Sequence, residues 1–322
     1  MKELENQRIL FITTKNVDYI RNTQEISLLS ETAEALTVLG SKSGSYVKRL
    51  AYVYFRLLFA HMEQYDAVFV GFSPQLVIPF WGWKFRKKTV IIDFFISVYD
   101  TMVCDRRKIR EGGLLACICR WLDKRTLFYA DASICDTNAH GDYFSSEFGV
   151  SRQIFQTLYL EADTSIYYPR EARKPAEAEN CFAILYFGSV LPLQGVDVIT
   201  DAMRHFTEDA RFFFYFIGPA TEKIAASNIR YIDWLAQEQL AEYIAFADLC
   251  LAGHFNAGVE KAKRTIPGKA YIYRAMGKPM ILGDNSANRE LFDESMEGIF
   301  FTPMGDARAL ANRILEIYDL QK

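Results

Sequence analysis

The sequence contains no apolar run as long as the roughly 18 to 20 residues that cross a bilayer. Its first residues do not combine a basic head with an apolar segment, so we expect no secretory signal there. The six cysteines include no CxxC pair and the four histidines are scattered, which disfavours a zinc site and favours reduced thiols in the cytosol. We therefore expect a cytoplasmic protein with no bound metal.

Signatures of several nucleotide-using enzymes are also missing. No GxGxxG follows the first predicted strand at residues 8–13, which argues against a dinucleotide dehydrogenase. No GxxxxGK[ST] and no GxSxG motif occurs, which argues against a P-loop kinase and a serine hydrolase. With 37 basic and 40 acidic residues the net charge is -3, so we expect no nucleic-acid partner.

The sequence does show a regular alternation of short apolar strands and amphipathic helices. A length of 322 residues corresponds to about two domains. The predicted strands are 8–13, 67–72, 89–94, 132–136, 154–160, 183–187, 211–217, 229–232, 249–252, 279–282 and 298–301. The predicted helices are 46–63, 114–130, 138–148, 196–206, 237–246, 269–276 and 307–318. This alternation predicts two α/β units with parallel sheets, and a ligand site in the cleft between them.

A charged, alanine-rich segment at residues 171–180 predicts the linker between the units. We expect an amino-terminal domain over residues 1–170 and a carboxyl-terminal domain over residues 171–306. The remaining residues, 307–322, are expected to form a helix that packs back on the amino-terminal domain.

A glycine-framed turn, Gly188 to Asp197, lies between a predicted strand and a predicted helix in the second half. Backbone N–H groups at such a junction can bind a phosphate, although this signal is weak by itself. A stronger signal is the group of cations Lys261, Lys263 and Arg264 before Pro267-Gly268-Lys269, since proline and glycine are typical of a helix start. Cations there oppose the helix dipole unless an anion is bound. We interpret the segment as a diphosphate-binding loop near solvent; the alternative is a solvated basic loop.

Positive charge is concentrated in the first half, where residues 42–130 contain 15 basic and 7 acidic residues. This favours an anionic partner, or else a solvated helix face. Two segments there, 76–88 and 48–59, combine aromatic and basic residues, which suits peripheral contact with a membrane. Equally, Val77, Phe80 and Trp81 have the spacing of core residues, with a merely solvated basic tail after them.

The second half resembles the donor-binding domain of GT-B glycosyltransferases of the retaining family-four kind, glycosyl transferases group 1. The resemblance covers residues 181–318 and rests on the stretches 187–189, 194–197, 228–234, 239–243, 247–251, 267–269, 277–281 and 288–291. The first half resembles the acceptor domain of a subgroup through Asp93 to Arg106, Asp136-Thr137 with His140, and residues 158–169. The implied fold is GT-B, two Rossmann-like, doubly wound parallel-sheet domains that face a central cleft.

The chain departs from the family pattern in its donor domain. The family's Glu-x7-Glu pair aligns with Arg264 and Ile272, and its second Glu normally holds the donor ribose. The usual basic residue of the first donor loop is replaced by Gln194. We expect Lys263, Arg264 and Lys269 to compensate. The acceptor domain also lacks the usual Gly-Gly turn after its first strand.

The resemblance implies two sets of site residues. Donor binding is expected at Gly188, Ser189, Gln194, Gly195, Trp234, Lys263, Arg264, Gly268, Lys269 and Glu290. Catalysis is expected at Asp100, Asp105 and Arg106, and acceptor binding at Asp93, Thr101 and His140.

Several of these residues have a structural alternative. Asp100 is expected to orient acceptor hydroxyls, and Arg106 to balance its charge or to contact a phosphate of a lipid-linked acceptor; the alternative is an Asp–Arg loop clamp. Glu290 is expected to contact the donor sugar or ribose, or to be only an acidic residue at a helix start. Trp234 is expected to flank the nucleotide base, or to be a core residue.

The expected function is that of a hexosyltransferase in bacterial-type polysaccharide or glycoconjugate synthesis. It would move a sugar with retention from a nucleotide sugar to a glycan, lipid-linked or small-molecule acceptor, at the inner face of the membrane or in the cytoplasm. GT-B enzymes generally need no metal and no Asp-x-Asp motif is present, so no metal or cofactor is expected. The alternatives are a non-catalytic glycosyltransferase-like subunit and a sugar-nucleotide epimerase.

Overall fold

The computed structural model describes residues 4–220 and 222–322, and the chain divides into two compact units, Met1–Glu161 and Ala162–Lys322. The division precedes the one expected after residue 170, and the predicted linker at 171–180 belongs to the second unit, where it includes a 3-10 turn at Ala176–Ala178.

Each unit contains one parallel sheet. The strands of the first unit are β1 (Arg8–Asn16), β2 (Ala35–Ser41), β3 (Ala67–Val70), β4 (Thr89–Asp93), β5 (Ala132–Cys135) and β6 (Phe155–Thr157). Those of the second unit are β7 (Phe182–Phe187), β8 (Phe212–Ile217), β9 (Ile229–Ile232), β10 (Leu249–Leu251), β11 (Met280–Gly283) and β12 (Ile299–Thr302). Their orders are β2-β1-β3-β4-β5-β6 and β12-β11-β10-β7-β8-β9, with parallel pairing throughout.

Helices connect these strands. The first unit contains α1 (Ile20–Thr32), α2 (Tyr46–Leu58), α3 (Ile78–Phe85), α4 (Leu114–Tyr129) and α5 (Asn138–Phe148). The second unit contains α6 (Val196–Arg204), α7 (Gln237–Phe246), α8 (Glu260–Arg264), α9 (Gly268–Ala275), α10 (Asn288–Leu291) and α11 (Ala307–Leu320). None of the helices in residues 4–220 and 222–322 is long and apolar enough to cross a membrane.

The first sheet is buried on both faces because its strands are apolar at successive positions. In β1, Ile9 and Phe11 belong to one core cluster, whereas Leu10 and Ile12 belong to another on the opposite face. Helices on both faces of a parallel sheet require such continuous apolar strands, and the sequence pattern therefore identified β1 correctly.

The second unit has its own core, to which the last helix belongs. The α11 residues Leu310, Ile314 and Ile317 are buried in one cluster with Ile199 and Met203 of α6. Asp306 caps α11 by accepting a hydrogen bond from the Ala309 backbone N–H at 2.8 Å. The expected separation of residues 307–322 from the carboxyl-terminal domain is therefore not observed, because this helix supplies part of that domain's core.

Both sheets contain a point at which the strand order reverses. In the first sheet it lies between β1 and β3, and in the second between β7 and β10. Helices leave such neighbouring strands on opposite faces, which opens a crevice at the carboxyl ends of the strands. The fold therefore provides one candidate crevice in each unit.

Candidate functional site

Lys269 extends from the first turn of α9 into the crevice of the second unit. Its Nζ lies 2.5 Å from Gln194 Oε1, on the turn that follows β7. A Cβ placed on Gly188, just after β7, would lie 3.3 Å from this Nζ, and one on Gly253, after β10, would lie 3.1 Å from it. The amine thus lies at the reversal point, between the loops that follow β7 and β10.

The surroundings of Lys269 are unusual for a cation. The side chain is only 6% exposed, and its Nζ lies 5.0 Å from the Tyr186 ring centre and 5.9 Å from that of Phe187. No carboxylate lies within ion-pair distance of it in the described part of the chain. Burial lowers the pKa of this amine to about 7. A bound phosphate would supply the missing negative charge and favour the protonated amine.

The turn that carries Gln194 is fixed by the loop after β10. Gly195 has a φ of 66°, and a Cβ there would lie 2.7 Å from the Asn256 backbone nitrogen. The Phe255 N–H donates to Gln194 O at 3.2 Å, and Asn256 Nδ2 donates to Pro192 O at 2.9 Å. Only glycine fits this conformation and this space, so Gly195 sets the close approach of the two loops.

Two other predicted donor-site cations lie on a helix and not on a loop. Lys263 and Arg264 lie on α8, and Lys263 Nζ pairs with Glu260 Oε1 at 2.5 Å. Lys269 is buried, not close to solvent as predicted, because it inserts between the glycines and aromatic rings of the crevice. Gly268 is the exposed first residue of α9.

Three further candidates lie on loops or short elements. Ser189 is exposed on the turn after β7, and Glu290 is half-buried on α10. Trp234 follows β9 and is 77% exposed, so it is not a core residue. The expected donor contacts of these three residues stay predictions.

The crevice of the first unit holds an aromatic cluster that the sequence did not indicate. Lys15 Nζ, beyond the buried part of β1, lies 5.3 Å from the Tyr19 ring centre and 5.1 Å from that of Phe72. Phe72 packs edge-to-face on Tyr19 at 5.5 Å and on Phe95 at 5.8 Å. All three rings are half-buried. They follow β1, β3 and β4, and only the strand order shows that these loops are neighbours.

A buried ion pair lies next to this cluster. Arg21 of α1 donates two hydrogen bonds to Asp93 at the end of β4, at 3.2 and 3.0 Å, and both side chains are almost fully buried. The guanidinium carbon lies 5.5 Å from the Phe95 ring centre. Asp93, expected to bind the acceptor, thus has both oxygens engaged by Arg21.

Glu25 completes this buried group. Its Oε1 lies 3.4 Å from Arg21 Nε. Burial and the neighbouring Asp93 carboxylate raise the pKa of Glu25 well above its ordinary value. Gly71 leaves room for it, since a Cβ there would lie 3.3 Å from Glu25 Oε2.

His140 lies at the start of α5, after β5. Its Nδ1 is 2.7 Å from Asp136 Oδ1, and its backbone N–H donates to the capping Thr137 Oγ1 at 3.0 Å. Burial acts to raise the pKa of Asp136, but His140 and Arg21 outweigh it and leave this pKa lowered. The ring is fully buried against Phe144, 4.0 Å between centres.

The expected catalytic segment forms a π-helical turn, Asp100–Asp105. Asp123 of α4 holds the residues before it, accepting from Ser97 Oγ at 2.7 Å and from the Tyr99 N–H at 2.8 Å. The Asp100 and Asp105 side chains are buried, Thr101 is half-buried and Arg106 is exposed.

Comparison with known proteins finds a family model that matches part of the chain. Residues 181–319 match the family model described as glycosyl transferases group 1. The matched region is most of the second unit, and it includes the Lys269 crevice. This agrees with the predicted resemblance of the second half to group 1 glycosyltransferases. No curated protein sequence matches the chain significantly.

Solved structures resemble the whole chain. Sucrose-phosphate synthase from Thermosynechococcus elongatus has a TM-score of 0.65 at 13% identity, over 97% of this chain and 90% of that one. HepE of Anabaena, in complex with UDP and glucose, has a TM-score of 0.65 at 15% identity, over 98% and 91%. A glycosyltransferase from Rickettsia africae has a TM-score of 0.64 at 11% identity, over 98% and 89%. This likeness confirms the predicted class, a fold of two Rossmann-like α/β units as in GT-B proteins.

Proposed function

We propose that the chain is a glycosyltransferase that moves a hexosyl group from a nucleoside-diphosphate sugar to an acceptor hydroxyl. The observation that carries this proposal is Lys269, a buried amine without a carboxylate partner in the described residues, at the strand-order reversal of the family-matched unit. A diphosphate is the ligand whose charge and size fit a cation held between two loops.

In this proposal the second unit binds the donor. Protonated Lys269 stabilises the negative charge that builds up on the diphosphate as the bond to the sugar breaks. Gln194 holds the amine in place, and the first turn of α6 presents backbone N–H groups to the phosphates. We assign Trp234 to contact with the nucleotide base, and Glu290 to contact with the donor sugar or ribose.

The first unit binds the acceptor at the crevice between β1 and β3. The half-buried rings of Tyr19, Phe72 and Phe95 offer apolar faces to a sugar ring, and Lys15 offers a cation to an anionic group on the acceptor. We assign to Asp100 the orientation of the acceptor hydroxyl. The departing phosphate takes the proton of that hydroxyl, and the configuration at the anomeric carbon is retained. The acceptor is a glycan or a lipid-linked glycan of polysaccharide or glycoconjugate synthesis.

Thermal unfolding with UDP, GDP, ADP and TDP tests donor binding. HepE binds UDP, so UDP is the first nucleotide to try. At about 100 times its dissociation constant a nucleotide should add about 2.7 kcal/mol to the free energy of unfolding. Lys269→Met should lose most of this stabilisation. An unchanged melt with all four nucleotides at millimolar concentration would refute donor binding.

Product analysis then tests the reaction. Incubation with the sugar nucleotide that binds and with glycan and lipid-linked acceptors should release free nucleoside diphosphate, and NMR of the glycoside formed should show the retained anomer. A protein that binds the nucleotide sugar but never cleaves it would be a non-catalytic subunit. An altered sugar still attached to the nucleotide would identify an epimerase.

A further inference from the structure

Helices α2, α3 and α4 expose many large apolar side chains. Most of the strongly exposed aromatic and aliphatic residues of the described chain lie on these helices or directly after them. The more than half-exposed ones are Val47, Phe55, Leu58, Phe59, Phe80, Trp83, Leu114, Leu115, Trp121 and Phe128. Of the three residues with the spacing of core residues, Val77 is buried and Trp81 packs partly buried against the core, whereas Phe80 is exposed, as is Trp83.

The three helices form one layer. They connect β2 to β3, β3 to β4 and β4 to β5, which all run in the same direction across the sheet. Right-handed connections therefore place them on the same face. The Tyr54 ring of α2 lies 5.5 Å from that of Trp81 in α3, and the Tyr129 hydroxyl of α4 donates to Gly82 O in α3. We call their outer surface the α2–α4 face.

Every helix of this layer places a cation beside an exposed ring. Arg56 lies 5.9 Å from the Tyr52 ring centre, Lys84 lies 5.8 Å from that of Trp83, and Lys124 lies 5.4 Å from that of Phe128. The only acidic residue in the three helices is Asp123, which is fully buried. The α2–α4 face is therefore apolar and positive, without an exposed carboxylate on its helices.

A depression of about 290 Å³ lies on α4 within this face. It is lined by Trp121, Lys124, Arg125, Phe128 and Tyr129. Two cations beside aromatic rings suit a phosphate that is attached to an apolar group.

We propose that the α2–α4 face docks on an anionic phospholipid bilayer, with a lipid headgroup phosphate in the α4 depression. Trp and Phe side chains insert at the interface, and Arg56, Lys124 and Arg125 contact lipid phosphates, whereas Lys84 donates to backbone carbonyls at the end of α2. A second copy of the chain is a poor occupant, because two α2–α4 faces would bring like charges together. This surface lies on the outer side of a helix layer and not at the carboxyl ends of the first unit's strands, so the proposal does not depend on the transfer reaction.

Vesicle sedimentation tests the proposal. Wild-type protein should pellet with vesicles of phosphatidylglycerol and phosphatidylcholine at low salt, and much less with phosphatidylcholine alone or at high salt. Each basic residue near an anionic surface contributes about 1 kcal/mol, so Lys124→Gln with Arg125→Gln should weaken binding about 30-fold. Trp83→Ser on α3 should also weaken it. Arg308→Glu with Leu320→Ser, exposed residues of α11, is the control and should bind like wild type.

Several results would overturn the proposal. These are no pelleting with anionic vesicles at low salt, equal pelleting with neutral vesicles, or equal losses in the α11 control. Sedimentation velocity without lipid gives a further check. A dimer that the α4 variant abolishes would show that a second copy occupies the face. Circular dichroism melts of these surface variants should match the wild-type melt, which would show that the variants remain folded.

Discussion

Lys269 Nζ and Gln194 Oε1 lie 2.5 Å apart, so one hydrogen bond joins the start of α9 to the turn after β7. The resemblance places a basic residue where this chain has Gln194. In the proposed donor site, Lys269 supplies this charge from a different segment, and Gln194 positions it. The proposed donor site thus keeps one cation near the turn after β7 despite the substitution.

The affinity for UDP should fall as the pH rises above 7. The pKa of Lys269 is about 7 in the free protein, because burial disfavours the charged form. A bound diphosphate favours the charged form and so raises this pKa, which means that binding above pH 7 must take up a proton. Between pH 7.5 and 9 the affinity should fall about tenfold per pH unit, until the pKa of the complex is reached. Calorimetry in buffers of different ionisation enthalpy measures both the affinity and the proton uptake.

Two variants control this experiment. Lys269→Arg keeps a charge that does not titrate in this range, so the pH dependence should disappear while binding persists. Lys269→Met should bind weakly at every pH. A slope that survives in either variant would assign the proton uptake to another group.

The two crevices differ in how far the sequence could predict them. Gly188, Gln194, Gly195 and Lys269 lie in segments with recognisable signals, a glycine-framed turn and a helix start. Their meeting at one crevice depends on β7 and β10 being neighbours. The sequence also grouped Lys263 and Arg264 with Lys269; they lie on α8, the helix before α9, and their donor contacts stay predictions.

Gly195→Ala should destabilise the second unit and weaken UDP binding together. At a φ of 66° a non-glycine residue is strained, and its Cβ would lie 2.7 Å from the Asn256 nitrogen. Strain of this kind costs about 1 to 3 kcal/mol. Urea unfolding measures the loss. Gly44→Ala is the control, because its Cβ would meet no atom within 4 Å. Equal effects of the two substitutions would contradict the role given to Gly195.

Arg21→Met should destabilise the protein by about 3 to 5 kcal/mol, because it leaves the buried Asp93 carboxylate without its cation. Adding Asp93→Asn removes that uncompensated charge and should recover part of the loss. Arg8→Met breaks a pair of similar geometry, Arg8–Asp66, whose side chains are about 40% exposed, and should leave the unfolding free energy almost unchanged. Denaturant unfolding compares all three. Similar losses for Arg21→Met and Arg8→Met would show that burial does not set the difference.

Polar burial and the lack of apolar burial explain why α1 and β2 were missing from the sequence prediction. The buried side of α1 consists of Arg21, Asn22, Gln24 and Glu25 with Leu29, so it has almost no apolar periodicity. β2 is an edge strand with Leu39 as its one buried residue, so it lacks the apolar run that identified the central strands. A hydrophobic sequence pattern reveals the elements that bury apolar side chains, and α1 and β2 bury almost none.

Asp100→Asn should reduce sugar transfer about 100-fold if this carboxylate positions the acceptor hydroxyl. Its side chain is buried at the first residue of the π-helical turn, and its N–H donates to Ser97 Oγ at 2.9 Å. Asparagine has nearly the same shape, so the melting temperature and the UDP affinity should not change. Asp123→Asn is the structural control, because Asp123 fixes Ser97 and Tyr99 and its loss should lower the melting temperature. Initial rates of transfer, set beside melts and UDP titrations of both variants, decide the role. A loss of stability in Asp100→Asn as large as its loss of rate would make Asp100 part of the scaffold.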